Sequence, residues 1–344
     1  MTDIFDDMDT ANAHRLLVLR DKPTGLKAII ALDNLTYGLA CGGIRTKRYK
    51  STEEAMQDVQ KLASAMTLKC SIAGVPFGGG KSVILDHDGM DRAAAFRKFG
   101  EFVEELGGSY MCAGDLGTTQ QDLMHVAETT QYVNTAGSDL GVATGITVVN
   151  GIRACLAAKG NNQTLADITV AVQGCGLIGA AVARLLAEAG ANVLVADIND
   201  AQARQLADEI GATVIDPDTI LTAEADIISP CAIGGVITPD LIPQLKAWAI
   251  CGGANNQLFN SGVSDLLVSY KILYVPDFLA SSGGVIKGVT SDIMDTDPEL
   301  YLAKTYDTAL EILTRAAAEN CSSIRIGTQI ALDRLKDKQA LLQE

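Results

Sequence analysis

Hydrophobic and polar positions follow two rhythms along the chain. In the first part, residues 26–32 (LKAIIAL) form an apolar run of strand length. STEEAMQDVQKLASAM keeps the helical period, with Ala55, Met56, Val59, Leu62, Ala63 and Met66 on one face and Ser51 and Glu54 in capping-box spacing. That helix is expected to end just before Lys69. KSVILDHD reads as a strand running into a polar turn, and RAAAFRKFGEFVEEL as a second amphipathic helix ahead of the loop GGSYMCAGDLGTTQQDL.

After about residue 167 the pattern changes to short apolar runs alternating with alanine-rich helical segments. DITVAVQG leads into GLIGAAVARLLAEAG and NVLVADI into DAQARQLADEI; ADIISPC, AWAICGG and ILYVPDF follow. This alternation predicts an α/β domain with a doubly wound parallel sheet covered on both faces. The small residues of AGSDLGVATGI mark a boundary, so we expect one α/β domain over residues 1–140, a second over 141–294, and helices over 295–344.

Composition narrows the partners. The 344 residues, 48% hydrophobic, suffice for two cores. A net charge of −15 argues against nucleic acid or an anionic membrane as partner and favours a small molecule. The acidic start MTDIFDDMDT is unlike a secretory signal, and no uncharged apolar stretch reaches membrane-spanning length, so a soluble, cytoplasmic protein is expected. The eight cysteines occur singly and read as reduced, buried small residues. The three histidines have no ligand spacing, and no metal is expected.

VQGCGLIGAAV places Gly174, Gly176 and Gly179 as G-x-G-x-x-G, with Leu177 and Ile178 opening the following helix. The first glycine permits a tight turn, the second lets backbone approach a pyrophosphate, and the third lets helix pack on strand. The next strand ends in Asp197, about twenty residues further on, where a carboxylate accepts ribose hydroxyls and repels a 2′-phosphate. The pattern points to NAD rather than NADP, and a nicotinamide cofactor implies hydride transfer. The substrate site then falls to the first region. There KCSIAGVPFGGGKSVILDHD sets Lys69 and Lys81 at the ends of an uncharged glycine-rich stretch. Two solvated lysines flanking a turn are the ordinary arrangement, and one dry pocket holding both is the alternative.

Several segments together resemble the glutamate/leucine/phenylalanine/valine dehydrogenase superfamily, most of all its leucine and phenylalanine dehydrogenase branch. They are CGGIRTKRY, MTLKCSIAGVPFGGGKSVI, AGDLGTT, the glycine fingerprint, PCAIGGVI, GGANNQL, PDFLASSGGVI and YDTALEILTRA…GTQIALDRL, in the family order from about residue 41 to 336. The resemblance implies an N-terminal substrate and oligomerisation domain, a Rossmann-type domain binding NAD, and C-terminal helices returning to the first domain. It also implies a homo-oligomer, dimer or octamer, acting on an L-amino acid, its 2-oxo acid and ammonia.

By that resemblance Lys69 binds the substrate carboxylate, and Lys81, its pKa lowered by burial and a cationic neighbour, takes a proton from the attacking water. Asp115 takes protons from the substrate amine and stabilises the cationic intermediate. The glycine stretch then brings both lysines into one pocket, with Val75, Pro76 and Phe77 limiting water. Gly42 and Gly43 match the glycines beside the substrate, their alternative being a tight turn. Thr144 matches the threonine at the nicotinamide carboxamide, Asn255 the asparagine near the nicotinamide ribose, and Ala232 a point of backbone approach to the cofactor. Cys41, Ala113 and residues 285–294 are expected to line the side-chain pocket; Arg45, Lys47 and Lys287 leave a polar substrate open, though such charges usually face solvent.

PDFLASSGG departs from the family, because Ser281 stands where an asparagine amide meets the bound amino acid. A hydroxyl has fewer separate donors and acceptors than an amide. This leaves open an unusual amino or imino acid substrate. A third reading, a non-catalytic NAD-binding protein, is disfavoured by the joint presence of Lys69, Lys81 and Asp115.

Overall fold

The computed structural model describes residues 4–11, 14–135, 140–160 and 162–341. The chain divides into two compact units, Met1–Gly137 with Leu332–Glu344, and Ser138–Ala331.

The first unit runs α1 (Ile4–Ala11), β1 (Arg15–Asp21), β2 (Leu26–Leu32), β3 (Ala40–Lys47), α2 (Thr52–Ile72), β4 (Gly78–Leu85), α3 (Arg92–Glu104), β5 (Tyr110–Gly114) and α4 (Gln120–Ala127). Its sheet has the order β1-β2-β4-β3-β5, antiparallel across β1, β2 and β4 and parallel across β4, β3 and β5. LKAIIAL shows no alternation because β2 is covered on both faces. Leu26, Ala28, Ile30 and Leu32 pack with Phe96, Phe99 and Val103 of α3, whereas Ile29 and Ala31 pack with Ala55, Val59 and Ala63 of α2.

Helix α2 extends past the end expected for it. Ser51 caps it by accepting the Glu54 N–H at 3.2 Å, while the Glu54 carboxylate accepts the Lys50 N–H instead of closing the box on Ser51. The helix continues to Ile72, so Lys69 lies in its last turn and not beyond it. The Arg334 guanidinium, 2.6 Å from the Ile72 carbonyl, supplies a cation at that C-terminus. The glycine stretch is also no loop: Gly78, Gly79 and Gly80 begin β4. A Cβ on Gly79 would stand 2.1 Å from the Thr67 nitrogen, so glycine is what lets α2 lie directly on the strand.

Asp33, just past β2, is 4% exposed; its Oδ2 accepts the Thr67 hydroxyl, and its Oδ1 has no hydrogen-bond partner in the structure. Burial raises its pKa from the ordinary 3.8 to about 6, with Thr67 opposing. A raised acid pKa means the folded state disfavours the charge, so stability is fully present below the ordinary value and falls as pH rises through about 6. We expect Asp33→Asn to be more stable than the wild type at pH 8, by on the order of 1–3 kcal/mol, with the gap closing towards pH 4. Urea melts at the two pH values check this, and a gap independent of pH would refute it.

The second unit runs α5 (Leu140–Lys159), β6 (Thr169–Gln173), α6 (Leu177–Glu188), β7 (Asn192–Ala196), α7 (Asp200–Ile210), β8 (Thr213–Val214), β9 (Ile227–Pro230), β10 (Ala249–Ile250) and α8 (Gly262–Ser269). Then come β11 (Leu273–Tyr274), α9 (Asp277–Ala280), α10 (Gly283–Asp292), α11 (Glu299–Leu302), α12 (Lys304–Glu319) and α13 (Ser323–Leu341), whose residues from Leu332 belong to the first unit. All strands are parallel, in the order β11-β10-β9-β6-β7-β8, so the order reverses between β6 and β9.

The glycines of AGSDLGVATGI do not form a boundary loop from Leu140 onward, where they belong to α5; residues 136–139 lie outside the described residues. A Cβ on Gly145 would come within 3.0 Å of the Ala181 Cβ, so this glycine serves close packing of α5 on α6. Helix α5 has the length and hydropathy of a membrane span, yet 72% of that apolar window is buried, as in a core helix.

Candidate active site

In the first unit the central strands gather the charged groups. Lys81 follows the three glycines of β4, and its side chain is 7% exposed. Its Nζ lies 3.3 Å from Oδ2 of Asp115, the residue directly after β5. Between them runs β3, with Gly42 opposite Cys112 and Gly43 opposite Ala113. A Cβ on Gly43 would stand 2.8 Å from the Asp115 Cβ, so glycine clears the space the carboxylate occupies. Both glycines are therefore strand residues, not a turn. Cys41 is buried, with its Sγ 3.5 Å from that of Cys70. Lys81, Asp115, Gly42, Gly43, Cys41 and Ala113 thus share three neighbouring strands, and half-buried Lys69 sits on α2, which covers β4.

Burial pushes the Lys81 pKa down, with Asp115 opposing and Arg45 adding to the effect. Burial alone would raise Asp115, but Lys81 and Arg45 hold it below the usual carboxylate value. Arg45 is thus a cationic neighbour that lowers the Lys81 pKa.

Sequence reasoning left Arg45 open between the substrate pocket and solvent, and the structure pairs it with two carboxylates. Its Nε donates to Asp115 Oδ2 at 2.8 Å, and its Nη1 is 3.3 Å from Asp58 Oδ2 on α2. The Tyr49 hydroxyl donates to the same Asp58 oxygen at 2.7 Å. Lys47 is likewise occupied, 3.7 Å from Glu54 and 4.0 Å from Asp58. One signal was available: Gly43, Arg45 and Lys47 alternate along one strand and so share a face.

In the second unit Gly174 has φ +93°, and a Cβ there would meet Ala232 at 2.8 Å. A Cβ on Gly179 would stand 1.8 Å from the Gly174 carbonyl oxygen. Gly176 is the N-cap of α6, with no side-chain cap and no atom within 4 Å of where its Cβ would be. The first N–H groups of α6, from Leu177 onward, thus open on a bare cradle suited to a pyrophosphate. Asp197 ends the neighbouring strand; its Oδ2 accepts the Cys175 N–H at 2.7 Å and its Oδ1 the Asn199 N–H at 2.8 Å.

A Cβ on Gly253 would come within 2.4 Å of Ile178 Cγ2, which puts the GGANNQ segment beside α6. The Thr144 hydroxyl donates to the Leu140 carbonyl at 2.8 Å and accepts the Gly284 N–H at 3.0 Å. The Ser281 hydroxyl lies 2.7 Å from the Asp277 carbonyl and 3.1 Å from Asn255 Oδ1, so it is engaged within its own unit. Lys287 is half-buried on α10. Among the described residues no group of three or more His, Cys, Asp or Glu is placed to hold a metal ion.

A parallel sheet with a glycine fingerprint at its first turn, joined to a separate unit holding a buried lysine paired with a half-buried aspartate, defines a two-domain dehydrogenase with a Rossmann-type fold. Comparison with known proteins gives the particular kind. Residues 15–132 match the Glu/Leu/Phe/Val dehydrogenase dimerisation domain, and residues 194–325 match Glutamate/Leucine/Phenylalanine/Valine dehydrogenase. The chain belongs to this family of amino acid dehydrogenases. It is 38% identical to phenylalanine dehydrogenase of Thermoactinomyces intermedius, covering 98% of this chain and 95% of that one. It is 37% identical to leucine dehydrogenase of Geobacillus stearothermophilus, covering 98% and 93%. Its fold matches the crystal structure of L-tryptophan dehydrogenase from Nostoc punctiforme with a TM-score of 0.89 at 31% identity, covering 98% of this chain and 100% of that one.

Proposed function

We propose that the protein catalyses the reversible, NAD-dependent oxidative deamination of an L-amino acid with an aliphatic or aromatic side chain. The products are the 2-oxo acid, ammonia and NADH. The observation that carries this reading is the pairing of buried Lys81 with half-buried Asp115, in which burial drives the lysine towards its neutral form while the aspartate stays ionised.

Bound nicotinamide supplies the hydride acceptor. The remaining work falls to side chains. Lys69 holds the substrate carboxylate and so fixes the direction of the α-hydrogen. Asp115 stabilises the cationic iminium left after hydride departure and takes up protons from the amine. Lys81 accepts the proton of the water that attacks the iminium carbon. Gly174, Gly176 and Gly179 with the start of α6 hold the pyrophosphate, and Asp197, beside the fingerprint turn, disfavours a 2′-phosphate. Thr144, Ala232 and Asn255 serve the nicotinamide end.

The small apolar residues Cys41 and Ala113 support an apolar substrate side chain, as do the phenylalanine, leucine and tryptophan named for the relatives. The match to a dimerisation domain supports a homo-oligomer, dimer or octamer. A second reading, an unusual amino or imino acid, draws on the engagement of Ser281 with Asn255 where the family places a substrate-facing amide.

The test is oxidation of NADH or NADPH by the purified protein with ammonium and a panel of branched, aromatic, short linear and acidic 2-oxo acids. We expect NADH-dependent turnover of a branched or aromatic oxo acid. Turnover of acidic oxo acids only, or with NADPH only, would overturn the substrate or the cofactor assignment respectively. Silence across the panel with NADH still bound would overturn the aliphatic or aromatic substrate and leave the second reading or a non-catalytic NAD-binding protein.

A further inference from the structure

The geometry points to Arg45 as a positioning residue that shares the Asp115 carboxylate oxygen with Lys81 and so limits how fully that carboxylate can pair with the lysine. The inference rests on the roles given to Lys81 and Asp115 above.

Arg45 is the middle of a chain of contacts that crosses three elements. On β3, its Nε donates to Asp115 Oδ2 at 2.8 Å, the same oxygen that lies 3.3 Å from Lys81 Nζ. Its Nη1 reaches Asp58 of α2, which the Tyr49 hydroxyl holds in turn at 2.7 Å. The guanidinium side chain is only 20% exposed, so these contacts are poorly screened. A planar fork can serve two carboxylates at once in fixed directions, which a lysine ammonium cannot do with the same rigidity. Because Arg45 and Lys81 share one carboxylate oxygen, the carboxylate cannot turn wholly to either, and its Oδ1 lies outside both contacts.

The charges facing Lys81 come from every packed side of its strand. Asp115 follows β5, Arg45 and Lys47 are on β3, Asp58 is on α2, and Tyr49 lies on the far side of Asp58. The Tyr110 hydroxyl of β5 is bonded to Ser82, beside Lys81, and to the Gly42 carbonyl. Of these, Arg45 opposes the charge on Lys81 while Asp115 and Asp58 favour it. Removing Arg45 removes a repulsion and gives Lys81 sole possession of Asp115. Both effects keep the lysine protonated to higher pH.

The experiment is the pH profile of kcat/KM for amino acid oxidation in Arg45→Gln, Arg45→Met and Arg45→Lys, beside the wild type and Lys81→Ala. The rise of activity with pH should move upward by about one unit in the two neutral variants, with about a tenfold loss on its acid side. Arg45→Lys, which restores a cation, should bring the rise most of the way back. A purely structural role would lower activity at all pH values without moving the rise. An unmoved rise in both neutral variants, with Lys81→Ala inactive, overturns the role of Arg45. An active Lys81→Ala, by contrast, overturns the reading on which the inference stands. Should Arg45→Gln fail to fold, Arg45→Met, which keeps an apolar stem of similar length, carries the same prediction.

Discussion

Lys81→Ala should lose turnover by about a thousandfold in either direction while NADH binding is retained, since positioned general acid–base groups contribute about 10²–10⁴-fold. Lys81 sits in the first unit, whereas the fingerprint, the start of α6 and Asp197 belong to the second. The substitution removes a buried cation but leaves Asp115 paired with Arg45, so no lone buried carboxylate results. Single-turnover mixing with a saturating oxo acid and ammonium separates the chemical step from binding, and fluorescence titration reports NADH. Turnover within tenfold of the wild type would remove Lys81 from the chemistry.

Asp115→Asn should lower kcat by about 10²–10³-fold, the scale expected when a group aimed at developing charge is neutralised in a poorly solvated site. It should also displace the pH profile, and the sign is opposite to that for Arg45. Asp115 is the group that most favours the charged form of Lys81, so its loss leaves burial and Arg45 acting together against that charge. The rise of activity with pH should therefore move to lower pH. Lys81 and Arg45 would then face each other without their shared anion, and the variant should unfold at lower urea concentration than the wild type. Full kcat with an unmoved profile would show that Asp115 only links strands.

The strands of the second unit were legible because parallel strands covered on both faces read as unbroken apolar runs, and DITVAVQG and NVLVADI appear where those runs stand. The two residues of β8 are too few for any pattern to show. Helix α5 was misread because glycine was taken as a turn signal; Gly145 packs inside a helix, a use that periodicity cannot reveal without knowing that α6 lies against it. The same confusion hid part of the site. With Gly42 and Gly43 open to a turn reading, Arg45 had no defined face; once they are strand residues, Gly43 and Arg45 face the same way and the contact with Asp115 follows. Lys69, Lys81 and Asp115 were named as candidates through family resemblance. Their shared surroundings were not legible, because the ion pairs that set the pKa of Lys81 join residues far apart in sequence.

Lys81 rides on β4, which is hydrogen-bonded to β2 on one edge and β3 on the other. At Lys81 itself the strand is paired only with Ala31 of β2, and the pairing with β3 stands to either side, at Gly79 with Cys41 and at Ser82 with Ile44. Amides in such a central strand exchange with solvent only through the largest openings of a domain, far more slowly than those of surface loops. Lys81 is thus mounted in a part of its unit expected to exchange slowly.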